Sequence, residues 1–529
     1  MTPQLPTDRR DRRARPVTST GRRRMRGEKG YALILAALLL LPLLAFTGFA
    51  TDVGAWYARA SRMQRAADAA SLAGVVWMPD LTTARTVALA TARRNGFVNG
   101  QDNVTITVSA VPNATRKLRV IIQDSAVDQF FSTLFVGPVS ITRAATSEYI
   151  LPVPLGSPLN RFGNDPAVAM TQPNFWGSIS GPYTDYNNGD PYSTKCGAGS
   201  SGTGCTQSNT EYRSSGYAYA IDVPASMVGQ VLTVELYDAG HYHRTNYPTV
   251  ETADNTQACG QNACSASNAL TGVRTEYEMY KADNTPLDNA DNPTLASQCN
   301  GTGANGKLTL EPEASSGTYK NQWALLCRVT VSKAGVYPLR VRSSGITGST
   351  DSGNGWNQYA IRACSGSGSC TSTSTTGQPR VYALADMSMF NNAPTATADF
   401  YLAEVDQIHA GKTFEVSLFD PGDGQSGNAY LSIKRPDGTI PGCTYRNRST
   451  GVSTTLTTCT IQTSNNGSPL FNGQWLDIDV SLPSNYACTI NTLPGCWWKV
   501  NYQFAGTPND RTTWSAQIIG DPVHLTRDG

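Results

Sequence analysis

YALILAALLLLPLLAFTGFA runs from Tyr31 to Ala50 and passes directly into TDVGAWYARASRMQRAADAASLAG, Thr51 to Gly74. The first stretch is 20 residues without a charge, eleven of them Leu, Ile or Phe. A helix of ~20 residues crosses the hydrocarbon core of a bilayer. At about 0.3–0.6 kcal/mol for each large apolar residue, insertion is favoured by roughly 3–7 kcal/mol, and Pro42 is tolerable in a membrane helix. The second stretch places Val53, Trp56, Ala60, Met63, Ala67, Ala70 and Gly74 alternately three and four residues apart. That spacing draws one stripe along a helix. Most of the stripe is small, so another element can approach closely. The periodicity predicts one rod of ~40 residues, ~60 Å long, from the membrane to about Gly74. Either the chain's own next segment or a neighbouring helix could cover the stripe.

Charge sets the topology. Residues 1–30 carry nine Arg and one Lys against Asp8, Asp11 and Glu28, a net +7. The whole chain carries +2, so the remainder holds −5. Arginines before an apolar run keep that end in the cytoplasm and direct the rest outward. A mildly acidic body argues against nucleic acid as a partner. A cleaved signal peptide is the rival to a retained anchor, with Gly48-Phe49-Ala50 as the cleavage site and Thr51 as the mature start. The apolar run exceeds the usual ~7–15 residues of a signal core, which favours the anchor.

All twelve cysteines lie between Cys196 and Cys496. An even number confined to the outward part suits disulfides in an oxidising compartment. Pairing neighbours along the chain would give Cys196–Cys205, Cys259–Cys264, Cys299–Cys327, Cys364–Cys370, Cys443–Cys459 and Cys488–Cys496. Sequence does not fix this connectivity.

A basic start, the GYALILAALLLL helix, an aspartate just past it in TDVG, and then QRAADAASLAG together resemble the N-terminal region of TadG-like proteins of the Tad (Flp) pilus-assembly group. The resemblance covers about residues 27–150, and Asp52 followed by Gln64 through Gly74 is its most specific part. It implies a pseudopilin-related envelope protein with an inner-membrane helix and an outward-facing body. Leu35 stands where a type IV prepilin cut at Gly30–Tyr31 would carry glutamate, which argues against processing by a prepilin peptidase.

The following segment reads as a small α+β unit. Leu81 to Arg94 predicts a helix stopped by Asn95-Gly96. VTITVSAV (Val104–Val111) and KLRVIIQD (Lys117–Asp124) alternate with strand period. SAVDQFFSTLFV predicts a short helix and VSITRAATSEYI a further strand.

Beyond Leu151, Gly, Ser, Thr, Asn and Tyr dominate and short alternating strands replace helical periodicity, which predicts an all-β body. YAIDVPASMVGQVLTVELYDAG (Tyr219–Gly240) aligns without gaps with YLAEVDQIHAGKTFEVSLFDPG (Tyr401–Gly422), 182 positions on. Leu232, Val234 and Leu236 match Phe414, Val416 and Leu418 on one sheet face. Lys281–Leu287 matches Lys434–Ile440, and Gln358–Ala363 loosely matches Thr513–Ile518. This internal repeat predicts two β-sandwich-like modules, joined by a linker in CSGSGSCTSTSTTGQP after Cys364.

Catalytic signatures are missing: there is no HExxH, GxSxG or phosphate loop, and the chain has four histidines. ADMSMF (Ala385–Phe390) resembles the DxSxS metal site of von Willebrand type A domains, but Phe390 fills the place of the last serine. Asp420-Pro-Gly-Asp423-Gly could offer oxygens to calcium, though such residues are ordinary in turns. Trp497 and Trp498 could stack on a sugar or simply fill a core.

The sequence therefore predicts an α+β protein without enzyme activity, cofactor or resident metal. A basic cytoplasmic tail (1–30) leads into a transmembrane helix (31–50) and a pseudopilin-like module (51–150). Two tandem extracellular β modules follow (151–380 and 381–529). The expected function is a membrane-anchored envelope component of a Tad/Flp-type pilus-assembly system. The expected partners are the membrane and other pilus-assembly or pseudopilin subunits, with a surface glycan or protein ligand in addition. The alternative is an anchored adhesin or glycan-binding protein.

Overall fold

The computed structural model describes residues 29–526 except 79, 113, 135, 150–152, 166–174, 203, 239–240, 243–253, 256–272, 284–290, 296–298, 300–303, 311–321, 345–354, 372–375, 392–396, 423–426, 490–494, 505–509 and 520–522. One helix, α1 (Lys29–Val75), runs through the apolar stretch, past Pro42, to the end of the stripe. A second helix, α2 (Leu81–Arg94), is capped at both ends. Asp80 accepts the N–H groups of Thr82 and Thr83 at 3.0 and 3.2 Å, the usual role of an N-cap aspartate. At the other end Phe97 N–H reaches Ala92 O and Gly96 N–H reaches Arg93 O, with Gly96 at φ 86°. This paired closure needs a left-handed residue, which glycine supplies without steric cost.

Strands β1 (Val104–Val111), β2 (Ala114–Val127) and β3 (Val139–Tyr149) follow. They form a sheet of order β1-β2-β3 whose fourth strand is the C-terminal Val523–Leu525. Val523 pairs with Tyr149 and Leu525 with Ser147. Those residues fall at the end of the range read as the second β module, yet they complete the edge of the N-terminal sheet. The short helix expected in SAVDQFFSTLFV is only a 3-10 turn, Ser132–Leu134. Gly137 and Pro138 follow at once, and proline disfavours helical backbone in the residue before it.

The body continues with β4 (Arg161–Phe162), β5 (Trp176–Ser180), β6 (Tyr217–Val223), β7 (Val231–Asp238), β8 (His241–Tyr242), β9 (Asp254–Asn255), β10 (Arg274–Met279), β11 (Lys307–Leu310), β12 (Gln322–Thr330), β13 (Gly335–Ser344) and β14 (Trp356–Ser365). Next come β15 (Arg380–Ala383), β16 (Asp386–Asn391), β17 (Thr397–Glu404), β18 (Thr413–Phe419), β19 (Ala429–Lys434), β20 (Cys443–Asn447), β21 (Ser453–Leu456), β22 (Thr460–Asn465) and β23 (Ser468–Pro469). The last are β24 (Trp475–Ser481), β25 (Trp497–Gln503), β26 (Asp510–Ile519) and β27, the Val523–Leu525 strand already placed on β3.

Two sets of strands share one topology. In the first, a sheet of order β11-β10-β13-β6 accompanies the order β12-β7-β14; in the second, β22-β19-β25-β17 accompanies β24-β18-β26. The aligned stretches fold alike, as strand, 3-10 turn, strand. The turns are Ala225–Met227 and Gln407–His409, each followed by a left-handed glycine, Gly229 at φ 85° and Gly411 at φ 78°. The pairing registers refine the loose match at the end of each set. Ala360 faces Tyr237, and Thr513 faces Phe419. Tyr237 and Phe419 are equivalent in the aligned stretches, so Ala360 corresponds to Thr513. The sequence had matched Thr513 to Gln358, a slip of two residues, which leaves every side chain on the same face.

The two sets are not separated by a free linker. Strand β5 pairs with β14, β16 pairs with β5 and with β26, and one sheet runs from β12 to β21. Leu155 bridges Ala383 and Ala403 beside the other layer. One large apolar cluster runs through both sets. Phe162 meets Phe175 at 5.1 Å between ring centroids, Phe175 meets Phe400 at 5.8 Å, and Phe400 meets Trp514 at 5.9 Å. Ring pairs at such spacings add ~0.5–1.5 kcal/mol each beyond their buried area.

Two compact units divide the chain. One comprises the helix up to Ala67 with 92–107 and 121–144; the other comprises 68–91, 108–120 and 145–529.

Candidate functional site

The apolar half of α1 is bare. Leu33, Leu41 and Phe46 are each about seven-tenths exposed. A contiguous apolar surface of this kind on a soluble chain would be a liability, and the helix is long and apolar enough to cross a membrane.

From Asp52 onward the same helix is clasped by its own chain. The Asp52 carboxylate, fully buried, accepts N–H bonds from Phe130, Phe131 and Ser132 at 2.9, 2.9 and 2.6 Å. It therefore caps the 3-10 turn at Ser132 from 80 residues away. Burial works against the charge, but the donors of Ser132, Phe130 and Phe131 outweigh it and bring the pKa down to about 2. One turn or two further on, Arg59 holds Asp124 through Nε and Nη2, at 3.0 and 2.8 Å, and its guanidinium lies 4.7 Å from the Phe97 ring centre. Gln64 Nε2 donates to Ala144 O at 3.0 Å. Ser71 Oγ lies 2.7 Å from Ser147 Oγ. Gly74 is where backbone comes closest: a Cβ there would lie 2.6 Å from Leu118 Cδ2 and 2.8 Å from Ala84 O.

The stripe divides accordingly. Ala60, Met63, Ala67, Ala70 and Gly74 are buried, joined by Ala66 and Ser71. Trp56 is half-buried against Phe49, at 6.2 Å in an edge-on arrangement, and Val53 stays exposed. The choice left open by the sequence falls to the chain's own segments for these five positions. The small residues serve close internal approach, and a neighbouring helix finds only the membrane-proximal end of the stripe free.

Beside α1 lies an open cleft of about 410 Å³. Arg59, Arg62, Asp102, Asp124 and Asp128 contribute to its wall. Charges of both signs line it, and Arg59 and Asp124 are already paired, so the cleft has no dominant sign with which to select a charged ligand.

The body's candidate residues are structural. Trp497 and Trp498 are buried, and Trp498 Nε1 donates to Tyr486 OH at 3.0 Å. They fill the core, and the sugar-stacking idea for this pair is corrected. Asp420 adopts φ 58° and accepts the Gly473 N–H at 2.6 Å, the behaviour of a turn residue; Asp423 lies outside the described residues. Among the described residues no cluster of His, Cys, Asp and Glu could hold a metal ion. Asp386 of the ADMSMF segment is ion-paired with Arg213.

Disulfides join Cys196–Cys205, Cys299–Cys327, Cys364–Cys370, Cys443–Cys459 and Cys488–Cys496. Cys259 and Cys264 lie outside the described residues. The Cys364–Cys370 loop, read as part of a linker, folds back over a buried ion cluster. Arg362 bonds Glu235 at 2.7 Å and Asp165 at 3.0 Å, and lies 3.8 Å from the Trp323 ring centre. Ser369 Oγ and Cys370 N–H add bonds to Glu235 at 2.9 and 3.1 Å. Sequence spacing carried no sign of this cluster, because its members are brought together from three distant strands and loops.

A long apolar N-terminal helix in the same chain as a large disulfide-bonded β body is the class of protein that this fold defines. Residues 30–85 match the family described as putative Flp pilus-assembly TadE/G-like, so the N-terminal region is TadE/G-like. That match contains Asp52, Gln64, Ser71 and Gly74, the residues that clasp the helix. No curated protein matches the chain. Among solved structures, a xanthan lyase of Paenibacillus is 8% identical over 80% of this chain with a TM-score of 0.13. This chain spans about a third of that enzyme's length, 35%.

Proposed function

We propose that the protein is a membrane-anchored envelope component of a Tad/Flp-type pilus-assembly system. In this reading its N-terminus is cytoplasmic and its disulfide-rich β body is outside the cell. One observation carries the reading: the segment matching the TadE/G-like family is a bare apolar helix whose continuation is locked to a small α+β unit by the family-like residues themselves. That arrangement supports the reading of this region as a pseudopilin-like module. The arginine-rich start and the acidic remainder support the orientation. The matching strand orders support a duplication of one sandwich-like unit, fused afterwards through β5 and β16. No enzymatic role is proposed. The adhesin alternative loses its one aromatic platform with the burial of Trp497 and Trp498.

Cell fractionation combined with protease treatment of intact cells tests the reading. The chain is expected in the membrane fraction, with the body cleaved from outside and pilus-system proteins retained on affinity purification of the anchored form. Recovery from the cytosol with reduced cysteines would overturn it.

A further inference from the structure

The clasp at Asp52 leaves a consequence at the membrane surface. Gln129 Nε2 donates to Gly137 O at 2.9 Å and closes the base of the loop that carries Phe130 and Phe131. Its backbone is pinned to α1 by three bonds to Asp52, yet two of its aromatic side chains stay exposed, Phe130 at 68% and Phe131 at 56%. Val136, in the same loop, is exposed as well. Two phenylalanines side by side in water would normally be buried; here the loop geometry holds them out.

Their position relative to the apolar run says what covers them. Phe131 packs on Gly48, where an added Cβ would lie 3.0 Å from Phe131 Cβ and Cγ. Gly48 is buried while its neighbours Phe46, Thr47 and Phe49 are exposed. Gly48 lies two residues inside the end of the apolar run, ~3 Å along the axis, and Asp52 lies ~3 Å beyond it. The Phe131 ring thus sits at the depth where the helix leaves hydrocarbon. Phe46 and Phe49 on the helix are exposed near the same level. Aromatic rings collect at this boundary in membrane proteins, and interfacial segments bury their apolar faces ~5–10 Å into it.

We propose that the loop carrying Phe130 and Phe131 is a second membrane contact, with these two rings seated at the boundary between headgroups and acyl chains. It rests on the reading of Tyr31–Ala50 as a membrane span. Because Asp52 ties loop to helix, the two contacts form one rigid foot, which fixes how the helix rotates about its own axis and which side of the TadE/G-like unit faces the lipid. A lone helix leaves that rotation free. The occupant is lipid because the apolar surface of the loop is continuous with that of the span.

The test uses the full chain in nanodiscs of phosphatidylcholine and phosphatidylglycerol. The fluorophore NBD is attached at Phe130→Cys, at Leu39→Cys within the apolar run, or at Val452→Cys on the exposed body surface. Lipids carry a doxyl quencher near the headgroup end or near the methyl end of the acyl chain. The probe at 130 is expected to be quenched roughly twofold more by the shallow quencher than by the deep one, as a boundary location requires. The probe at 39 should favour the deep quencher, and that at 452 should respond to neither. Quenching at 39 with none at 130 would overturn the loop contact while leaving the anchor intact. Loss of quenching at 39 would overturn the anchor reading itself. A blue-shifted probe at 130 that no lipid quencher reaches would assign the loop to a protein partner and likewise overturn the proposal. Adding Asp52→Ala to the probe-bearing chain should abolish the shallow preference at 130 without changing 39; an unchanged pattern would refute the pinning role of Asp52.

Discussion

Replacing Ala67 and Ala70 by leucine separates internal packing of the α1 stripe from association with a neighbour. Both side chains are fully buried. Each change adds three carbons where the surroundings have closed in; nearby, a single Cβ on Gly74 would already fall within 3 Å of its neighbours. Overpacking of this kind costs ~1–3 kcal/mol per site. Helix propensity differs little between alanine and leucine, so it offsets almost none of this. The two positions lie one turn apart, so their costs will couple and fall short of a simple sum. For the unit of ~100 residues that holds Ala67, each kcal/mol lowers the melting temperature by ~4–8 °C, giving an expected drop of roughly 4–24 °C for Ala67→Leu. Hydrogen exchange of the detergent-solubilised full chain reads the effect locally. Amides of β1–β3 should lose protection in Ala70→Leu, while those of β17 and β18 keep it. Val53→Leu, at an exposed position, should leave exchange unchanged. If Ala70→Leu kept full protection in β1–β3 yet abolished co-purification with pilus-system proteins, the stripe would belong to an intermolecular contact and the internal reading would fail.

Arg362→Met should destabilise the body by about 3–5 kcal/mol, because it strands the buried carboxylates of Glu235 and Asp165; adding Glu235→Gln should recover part of the loss in a thermal melt. Burial, partly opposed by Arg213 and reinforced by Asp190, lifts the Asp386 pKa from 3.8 to about 6. A raised folded pKa contributes stability that is complete below 3.8 and is lost as pH rises through about 6, worth roughly 2–3 kcal/mol at 1.36 kcal/mol per unit. Asp386→Asn should flatten that part of the stability–pH curve, measured by denaturant titration; an unchanged slope would refute the assignment. Asp52 runs the other way: its lowered pKa contributes stability above 3.8 that is lost as pH falls towards 2, so the Phe130–Ser132 amides should lose protection, measured relative to their intrinsic exchange rates, on acidification. Truncating the chain after Ile519 removes β27 and should raise exchange at the β3 edge, residues 145–149, without touching β18.

The elements governed by local periodicity were legible. The uncharged run Tyr31–Ala50 formed continuous helix, which satisfies its backbone within the segment. The three-four spacing from Val53 to Gly74 continued it, and Asn95-Gly96 stopped α2 because only a left-handed residue closes such an end. Alternation placed Leu232, Val234 and Leu236 inside, and the aligned Phe414, Val416 and Leu418 likewise. Equivalent strands, such as β14 and β26, were legible only to within two residues, since alternation repeats at that interval.

Long-range partners were decided by tertiary structure alone. Nothing local in TDVG says that Asp52 will hold the backbone of Phe130–Ser132, or that Val523–Leu525 will return to β3. Nothing in CSGSGSC marks it as the cover of an ion cluster rather than a spacer. Local sequence sets which backbone conformations are cheap and which faces are apolar. Which distant donor meets which buried carboxylate depends on how the whole chain closes, because a buried charge or strand edge must be satisfied by whatever group the global packing brings to it.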